Sequence, residues 1–494
     1  MDQDFDIVVI GSGIAGLSAA VAAATKGARV AVLERAAPEE YGGNTRWTEA
    51  YFRMKSESEV SDDFEERLVA NAGYHLDPHV VAESAGDYDN WPPYVKAHGM
   101  PDPELVGTLA SLAGPTVAWL KTYGIRFDAL PTYFVTAAAP RLMPVGGGLA
   151  MIEALRAAAE PLGVRFFYRT TARRLEQAGG ESEGRRLAVL TVDAHGRGRT
   201  LSAGAVVIAS GGFQGNTEML TRYLGGAARY VRPVARGGYY NRGEGIQMAL
   251  DAGAAPAGDF GSYHAEPLDP RSAEPEPLVM TFPYGILVNH RGLRFTDEAP
   301  GPVDVHYDHI SRAIGEQPEG IAYAIFDQRI EDVPNWKKGL RTDQPAIRAD
   351  SLEALARACG LPPEVLARTV DEYNRACPQD GRFLPLEADG LATRGLDIPK
   401  SNWARPIGQG PFFAYPVIPG ICFTYGGIKI NRHAQVVNHD GRPIPGLYAA
   451  GEASGLYHQV YTGATSVMRG AVFGKLAGEH AAALAGKPAP AAQA

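Results

Sequence analysis

The sequence predicts an α/β fold in which a parallel sheet takes strands from both ends of the chain and an α+β unit is inserted between them. Three observations support this fold class. The N-terminal residues alternate strand, helix and strand. The middle of the chain is dense in proline, has only short helical stretches and lacks glycine motifs. From Gly426 onwards the alanine- and glycine-rich texture of the beginning returns. These changes predict a first segment at 1–257, an inserted cap at 258–425 and a second segment at 426–494.

Composition and charge exclude several classes of protein. The chain has 494 residues, too many for one ordinary core, and its net charge is -9 without any basic block, which argues against a nucleic-acid partner. The three cysteines (Cys359, Cys377 and Cys422) are scattered and form no disulfide or metal-binding pattern, so no metal is expected. The sequence contains no basic leader and no long apolar run. We therefore expect a cytoplasmic protein without a membrane span.

The first elements predict a βαβ unit. Residues 5–10 (FDIVVI) are apolar and β-branched, as in a buried parallel strand. Residues 14–25 form an alanine-rich helix that can pack closely on a sheet, and residues 28–33 form the next strand. A connection of this kind is right-handed in almost all proteins.

The turn between the first strand and the first helix carries a GxGxxG pattern. It consists of Gly11, Ser12, Gly13, Ile14, Ala15 and Gly16. Gly11 permits the tight turn, Gly13 lets the backbone approach a pyrophosphate, and Gly16 allows close contact between helix and strand. The helix N-terminus offers free N–H groups to phosphates, and Glu34 after the second strand is placed to accept hydrogen bonds from a ribose. The pattern therefore predicts a dinucleotide site.

Further segments identify the dinucleotide as FAD. They are the turn at Gly42, Gly43, Asn44 and Thr45, the late strand at 206–212 with Ala209, Ser210 and Gly211, and the segment 446–453 with Gly451 and Glu452. A flavin is long and runs across the sheet, so both ends of the chain are needed to hold it, whereas an NAD-only domain needs no such distant second segment. We also assign five other positions to cofactor binding: Arg35, Ala172, Glu244, Ser466 and Val467.

The order of these motifs resembles the fumarate reductase/succinate dehydrogenase flavoprotein family. The matching segments are GSGIAG, GGNT, VVIASGGFQGN, GEGIQMALDAGA, GILVNHRGLRFTDE, FTYGGIKIN and GLYAAGEASG. The stretch VYTGATSVMRGAVFGKLAG is more similar to tricarballylate dehydrogenases and 3-ketosteroid dehydrogenases. The resemblance implies a Rossmann-like FAD domain interrupted by a cap, with the flavin ring between them. No histidine lies near GGNT, so the FAD is expected to be non-covalent.

The chain departs from fumarate reductases at the substrate. Their arginine after the RFxxE segment is missing: Pro302 or Val303 fills its place, and the next arginine is Arg312. Phe423 replaces the family's substrate histidine, and Tyr461 replaces its substrate arginine. Loss of even one buried charge partner costs several kcal/mol of binding, so fumarate and succinate are not expected as substrates.

Tyrosines occupy the places that matter in the ketosteroid dehydrogenases. The segment beginning at Tyr461 resembles their YPGxG segment, in which a tyrosine hydroxyl and a backbone N–H polarise a ketone. Tyr133 and Tyr307 are the other candidate catalytic tyrosines, and a tyrosine base needs a neighbouring donor or cation, because its ordinary pKa is about 10. The candidate substrate-binding residues are Gly463, Ala464, Phe423 and Arg469.

Together these features predict an FAD-dependent dehydrogenase that desaturates a CH–CH bond next to the carbonyl of a cyclic ketone or keto acid. A tyrosine removes the α proton, Tyr461 and the backbone of Gly463 and Ala464 hold the enolate oxygen, and the β hydrogen leaves as hydride to FAD. An enoate reductase of the fumarate/urocanate type and a non-catalytic FAD-binding protein are the alternatives. The sequence has no CxxCH haem motif and no second nicotinamide motif, so we expect an external electron acceptor or oxygen.

Overall fold

The computed structural model describes residues 3–70, 77–96, 100–129, 141–178 and 186–486. The strands are β1 (Gln3–Ile10), β2 (Val30–Leu33), β3 (Phe127–Ala129), β4 (Leu142–Pro144), β5 (Arg165–Phe167), β6 (Thr170–Ala178), β7 (Arg186–Asp193), β8 (Gly198–Ile208), β9 (Arg232–Pro233), β10 (Pro256–Ala257), β11 (Tyr263–Leu268), β12 (Ile286–Asn289), β13 (Ala322–Phe326), β14 (Ile347–Ala349), β15 (Phe412–Thr424), β16 (Gly427–Ile428), β17 (Gln435–Val437) and β18 (Pro443–Ala449). The α-helices are α1 (Ile14–Thr25), α2 (Phe64–Ala70), α3 (Pro78–Glu83), α4 (Pro93–Lys96), α5 (Pro103–Lys121), α6 (Gly147–Ala159), α7 (Thr217–Leu224), α8 (Glu244–Asp251), α9 (Val303–Gly315), α10 (Leu352–Ala358), α11 (Pro363–Ala376) and α12 (Ser466–Leu484).

Both ends of the chain build the main sheet, which has eight strands within the described residues. Its order is β17-β18-β8-β1-β2-β5, and β18, β8, β1, β2 and β5 run parallel. The antiparallel pair β6 and β7 joins it through β8. The inner strands are continuous apolar runs, as expected for a parallel sheet that is covered on both faces. The predicted α/β fold class is confirmed.

The strand β8 differs from the prediction. The sequence predicts a late strand at 206–212, but the observed strand begins earlier and is continuous over Gly198–Ile208. It pairs with β7 along its first part and with β1 and β18 along its later part. Hydrogen-bonding partners on both sides keep the backbone extended through Ser202 and Gly204, where local composition favours a turn.

The last helix lies directly against the first. Gly470, Gly474 and Gly478 follow one another at every fourth position of α12, so they share one face of the helix. A Cβ atom on Gly474 would lie 2.3 Å from the carbonyl oxygen of Ala15, and one on Gly478 would lie 2.2 Å from that of Ala19. The backbones of α1 and α12 therefore touch, and the C-terminal segment is fixed beside the GxGxxG turn.

A second sheet forms from the inserted region. Its order is β11-β15-β13-β12, and β9 and β14 also pair with β15. All of these strands except β9 fall within the predicted insert at 258–425, whose exact limits stay a prediction. The long strand β15 begins among side chains of the second sheet, including Phe412 and Ala414, and ends in the main core at Ile421 and Phe423. It therefore connects the two sheets. Among the described residues no helix is long and apolar enough to cross a bilayer.

Candidate active site

A cavity of about 420 Å³ lies where the carboxyl ends of β1, β2, β8 and β18 meet β11, β15 and α9. Ligands of open α/β sheets bind at this end of the strands. Most of the predicted cofactor residues line it: Gly11, Ser12, Gly13, Ile14, Ala15, Glu34, Arg35, Gly43, Asn44, Thr45, Ala172, Ala209, Ser210, Gly211, Glu244, Gly451, Glu452, Ser466 and Val467. Gly16 and Gly42 do not line it.

The predicted catalytic and substrate-binding residues meet in the same cavity. Its lining includes Tyr307, Tyr461, Phe423, Gly463, Ala464 and Arg469. Tyr133 lies outside the described residues, so its role stays a prediction. Arg469 is buried, stacks on the ring of Tyr457 and donates from Nη1 to the Ser454 carbonyl oxygen (3.1 Å), while its Nε has no partner among the described residues.

Each position of the GxGxxG turn has glycine for a different structural reason. Gly11 has a φ of +106°, and a Cβ there would lie 2.3 Å from the Ala209 carbonyl oxygen. A Cβ on Gly16 would lie 2.0 Å from the carbonyl oxygen of Gly11. Gly13 differs, because its Cβ would approach protein atoms no closer than 3.6 Å. Since Gly13 lines the cavity, its missing side chain leaves room for a ligand such as a phosphate.

Two acidic side chains organise the cofactor end. Glu34 is buried and accepts hydrogen bonds from the N–H groups of Ser12 (3.2 Å) and Ala36 (2.7 Å) and from the Ser12 hydroxyl. Glu452 accepts from the Thr424 N–H (2.9 Å) and from the side-chain amide of Gln214 (3.2 Å), and burial raises its pKa. A carboxylate has about four acceptor positions, and Glu34 uses three of them, so it retains capacity for a ligand hydroxyl. Glu452 also accepts from the Thr424 hydroxyl (3.3 Å) and the side-chain amide of Asn241 (3.1 Å), so its four positions are already in use.

Other cofactor residues are held by their neighbours. Arg35 donates to the carbonyl oxygen of Tyr240 (2.7 Å) and forms an ion pair with Glu244 (2.7 Å). The N–H of Gly42, which has a φ of +106°, donates to the Ser12 hydroxyl (3.0 Å), so this turn is fixed to the GxGxxG turn.

Unpaired polar atoms support a ligand in this cavity. Among the described residues, Asn44 Oδ1 and Ser210 Oγ are buried without a hydrogen-bond partner, and both residues line the cavity. Leaving such a group unsatisfied costs about 1–3 kcal/mol, so it normally has a partner in the functional state. With the glycine turn and Glu34, these atoms fit a bound FAD.

The hydroxyl of Tyr461 lies at the N-terminus of α12. Its oxygen accepts hydrogen bonds from the backbone N–H groups of Thr465 (2.9 Å) and Ser466 (3.0 Å), which have no partner within the helix. Its proton is directed at Ser466 Oγ (3.1 Å). Because the oxygen already accepts two hydrogen bonds, the proton is what Tyr461 offers to a ligand in the cavity.

Tyr307 belongs to a buried polar network beside Tyr461, whose ring lies 4.4 Å from that of His264 between centroids. Its hydroxyl oxygen lies 3.2 Å from Nε2 of His264, whose Nδ1 lies 3.1 Å from Asp308 Oδ1. Burial would lower the pKa of His264, but its hydrogen bonds to Asp308 and Glu266 raise it to about 9. Burial and the charge of Glu266 raise the pKa of Tyr307 well above 10. Arg312 fixes Asp308 Oδ2 at 2.7 Å.

Glu276 lies near this network and, like Glu452, is an acid with a raised pKa. Burial, and then the charge of Glu266, raise the pKa of Glu276 to about 8, although Arg341 acts in the opposite direction. Arg341 joins Glu276 (3.3 Å) to the half-exposed Glu49 (2.6 Å). The backbone of Glu276 has a φ of +48°, which is uncommon outside glycine and often marks a functional site.

Sequence reasoning did not identify His264, Glu266, Glu276, Arg141 or Asp308. One signal was available for two of them, because alternate residues of a strand share a face and His264 and Glu266 both follow that spacing in β11. The other three come from separate elements, and nothing local in the sequence connects them.

Comparison with known proteins places this geometry among flavoproteins. The family model described as "FAD binding domain" matches residues 6–467. A vinyl phenol reductase of Lactiplantibacillus plantarum is 26% identical over 93% of this chain and 92% of its own length. A 4-oxocyclohexanecarboxylate 2-dehydrogenase of Sinomonas cyclohexanicum is 28% identical, with 94% and 90% covered. The crystal structure of a 3-ketosteroid-Δ4-(5α)-dehydrogenase of Rhodococcus jostii RHA1 has a TM-score of 0.65 and 25% identity, with 97% of each chain covered.

Fumarate reductases are also among the relatives and the structures of the same fold. The predicted resemblance and the predicted FAD cofactor are confirmed.

Proposed function

Because this chain belongs to the FAD binding domain family and is an FAD-dependent oxidoreductase acting on CH–CH bonds, we propose that it desaturates such a bond next to the carbonyl of a cyclic ketone or keto acid. One observation carries the proposal: Tyr461 and Tyr307 line the same cavity as the cofactor residues, and each has neighbours suited to a different task. The relatives named as a 4-oxocyclohexanecarboxylate dehydrogenase and a ketosteroid dehydrogenase support a ketone substrate.

Tyr461 polarises the ketone. The Tyr461 hydroxyl, which donates a hydrogen bond to Ser466 Oγ, donates instead to the carbonyl oxygen of the substrate. The amides of Thr465 and Ser466 continue to donate to the phenolic oxygen. The charge that develops on the enolate oxygen then faces preorganised donors. Ala464 borders the same space and has a φ of +65°, a conformation that costs a non-glycine residue energy and is retained mainly at functional sites.

Tyr307 removes the α proton. The Cα–H bond breaks and its electron pair enters the enolate. The proton joins the oxygen of Tyr307, and the phenolic proton passes to Nε2 of a neutral His264, 3.2 Å away. Asp308 holds the Nδ1 side of the ring, so in the neutral ring the Nδ1–H donates to Asp308 and the lone pair of Nε2 can accept the proton from Tyr307. Bound FAD supplies the acceptor for the hydride that leaves the β carbon.

The runner-up is enoate reduction, which runs the same chemistry in reverse. It is favoured by relatives such as the vinyl phenol reductase and a urocanate reductase of Eggerthella lenta.

The external electron acceptor or oxygen, and the cytoplasmic location, stay predictions from the sequence.

The experiment is anaerobic reduction of the purified holoenzyme by a panel of cyclic ketones, keto acids and dicarboxylates, followed by loss of flavin absorbance. We expect bleaching by ketones. Rapid reoxidation of reduced enzyme by unsaturated acids, without bleaching by any ketone, would favour the reductase. Bleaching by succinate-type acids alone would contradict the proposed substrate class.

A further inference from the structure

Arg141 is a partly buried cation in the cavity wall. Its side chain is 16% exposed and meets one carboxylate, Asp304, at 3.2 Å through Nη2. Its Nε is buried and has no hydrogen-bond partner among the described residues. Nη2 also lies 3.3 Å from the position that a Cβ on Gly463 would occupy. The guanidinium therefore lies beside the loop that carries Tyr461.

Two contacts fix Arg141 between the catalytic tyrosines. Leu142, the next residue, exchanges backbone hydrogen bonds of 2.9 Å with Phe52, and the following Arg53 N–H donates to the carbonyl oxygen of Ala464 (2.8 Å). This places Arg141 against the 463–464 loop. Its partner Asp304 lies in the first turn of α9, three residues before Tyr307, so the two side chains are neighbours on one helix face.

Arg141 and Arg469 are the cavity arginines whose Nε lacks a partner among the described residues, and Arg141 is the one paired with Asp304 of α9, the helix that carries Tyr307. Arg341 is bound by two carboxylates, Glu49 and Glu276. Arg141 uses one N–H on one carboxylate, although a guanidinium has five donors arranged to bind a carboxylate through two of them. An anionic group of the ligand would satisfy the buried Nε and complete this arrangement.

We propose that the substrate is a keto acid and that Arg141 binds its carboxylate, which positions the ketone between Tyr461 and Tyr307. This assignment rests on the proposed function and narrows it from ketones in general to those that carry an acid group. A ketone held at both ends enters the cavity in one orientation, which favours removal of one particular α proton.

A binding experiment tests the anchor without turnover. Cyclohexanecarboxylate and its neutral carboxamide are titrated into oxidised holoenzyme, and the perturbation of the flavin spectrum gives each Kd. We expect the acid to bind at least about tenfold more tightly, and Arg141→Met to weaken the acid about 10- to 100-fold, the usual range for a charge-assisted hydrogen bond, with little change for the amide. Lys337→Met, at an exposed cation outside the cavity lining, is the matched control and should change neither Kd.

Two further variants separate binding from folding. Arg141→Met with Asp304→Asn also neutralises the carboxylate that loses its ion pair with Arg141 in the single variant, and it should show the same loss of acid binding. Arg141→Lys keeps the positive charge but loses the paired N–H donors of the guanidinium, so it should bind the acid with intermediate affinity. Equal Kd values for acid and amide in the unchanged protein, or a loss of acid binding in Lys337→Met as large as that in Arg141→Met, would overturn the anchor.

Turnover distinguishes this inference from the proposed function. Flavin reduction is measured with 4-oxocyclohexanecarboxylate and with its carboxamide. If Arg141 is the anchor, Arg141→Met raises KM for the acid and leaves KM for the amide unchanged. Reduction of the flavin by both ketones with the same KM refutes the anchor and leaves the desaturase proposal standing. Failure of both to reduce it, with acid binding still dependent on Arg141, refutes the desaturase and keeps the anion site.

Discussion

At the scale of single residues, the two cavity tyrosines differ in the groups that control them. Tyr461 is held by two backbone amides at a helix N-terminus, whereas Tyr307 faces an imidazole that is tied to a carboxylate. A hydroxyl whose oxygen already accepts two N–H groups is suited to donate its proton. A phenol beside a basic nitrogen is suited to exchange one. The structure therefore supports different roles for residues of the same type.

Removing either hydroxyl should slow flavin reduction far more than it weakens binding. We expect Tyr461→Phe to lower the rate about 10²–10³-fold, as for loss of one oxyanion donor, and Tyr307→Phe about 10²–10⁴-fold, as for loss of a general base. Stopped-flow measurement of the flavin absorbance gives the rate of flavin reduction in both variants. Tyr425→Phe is the control, because Tyr425 is buried nearby, does not line the cavity, and its hydroxyl has no partner among the described residues. A comparable loss in Tyr425→Phe would attribute the effects to packing.

The pH profile tests the link between Tyr307 and His264. His264, whose pKa is raised to about 9, must be neutral to receive the phenolic proton, so desaturation should accelerate as pH rises through 9 and reduction of an unsaturated ketone should slow. Asp308, Glu266, Tyr307, Tyr461 and Phe423 surround the ring.

Glu266→Gln removes one of the interactions that raise the pKa of His264, so it should move the rise in rate to lower pH by roughly one unit, the size of one close charge interaction. The exposed Glu274→Gln, eight residues further along the chain, is the matched control and should leave the profile in place. If the pH profile of Glu266→Gln is not shifted, His264 does not take part in the rate-limiting proton transfer.

At the scale of elements, the contact between α1 and α12 positions the cofactor turn. The glycine face of α12 allows its backbone to touch that of α1, and the N-terminus of α12 holds the hydroxyl of Tyr461. One helix therefore supports the GxGxxG turn along its length and the substrate wall at its end. Movement of α12 away from α1 would disturb both.

A single methyl group in this contact should destabilise the protein. Gly474→Ala places a Cβ 2.3 Å from the Ala15 carbonyl oxygen, so the helices must separate at a cost of about 1–3 kcal/mol, which exceeds the gain of about 1 kcal/mol in helix propensity. Gly107→Ala in α5 is the matched control, because its Cβ would meet nothing within 4 Å and should stabilise the fold. Urea unfolding gives both free energies. If Gly474→Ala is as stable as the unchanged protein, the close approach of these helices is not needed.

At the scale of the whole molecule, the predictable and unpredictable parts of the site differ in how they are encoded. The cofactor end was predictable, because each of its pieces is a contiguous motif such as 11–16 or 446–453 with a local reason for its residues. The substrate end was predictable only in part: the family resemblance indicated Tyr307 and Tyr461, whereas Arg141 and His264 come from distant places in the chain and belong to no recognised motif. The pairing of β11 with β15 and the packing of α9 place His264, and the backbone hydrogen bonds of Leu142 with Phe52 place Arg141; neither leaves a sequence pattern.

Because both ends of the chain hold one cofactor, FAD should protect them together. A ligand that binds only the folded state at 100 times its Kd stabilises it by about 2.7 kcal/mol, which corresponds to about 100-fold slower exchange wherever opening requires its release. We expect peptides covering 11–16 and 451–467 to gain hydrogen-exchange protection in parallel when apoprotein is titrated with FAD. Peptides from α11, whose side chains pack in a separate cluster beside the second sheet, serve as the control and should change little. Protection of 11–16 alone would mean that the C-terminal segment completes the sheet without contributing to the cofactor site.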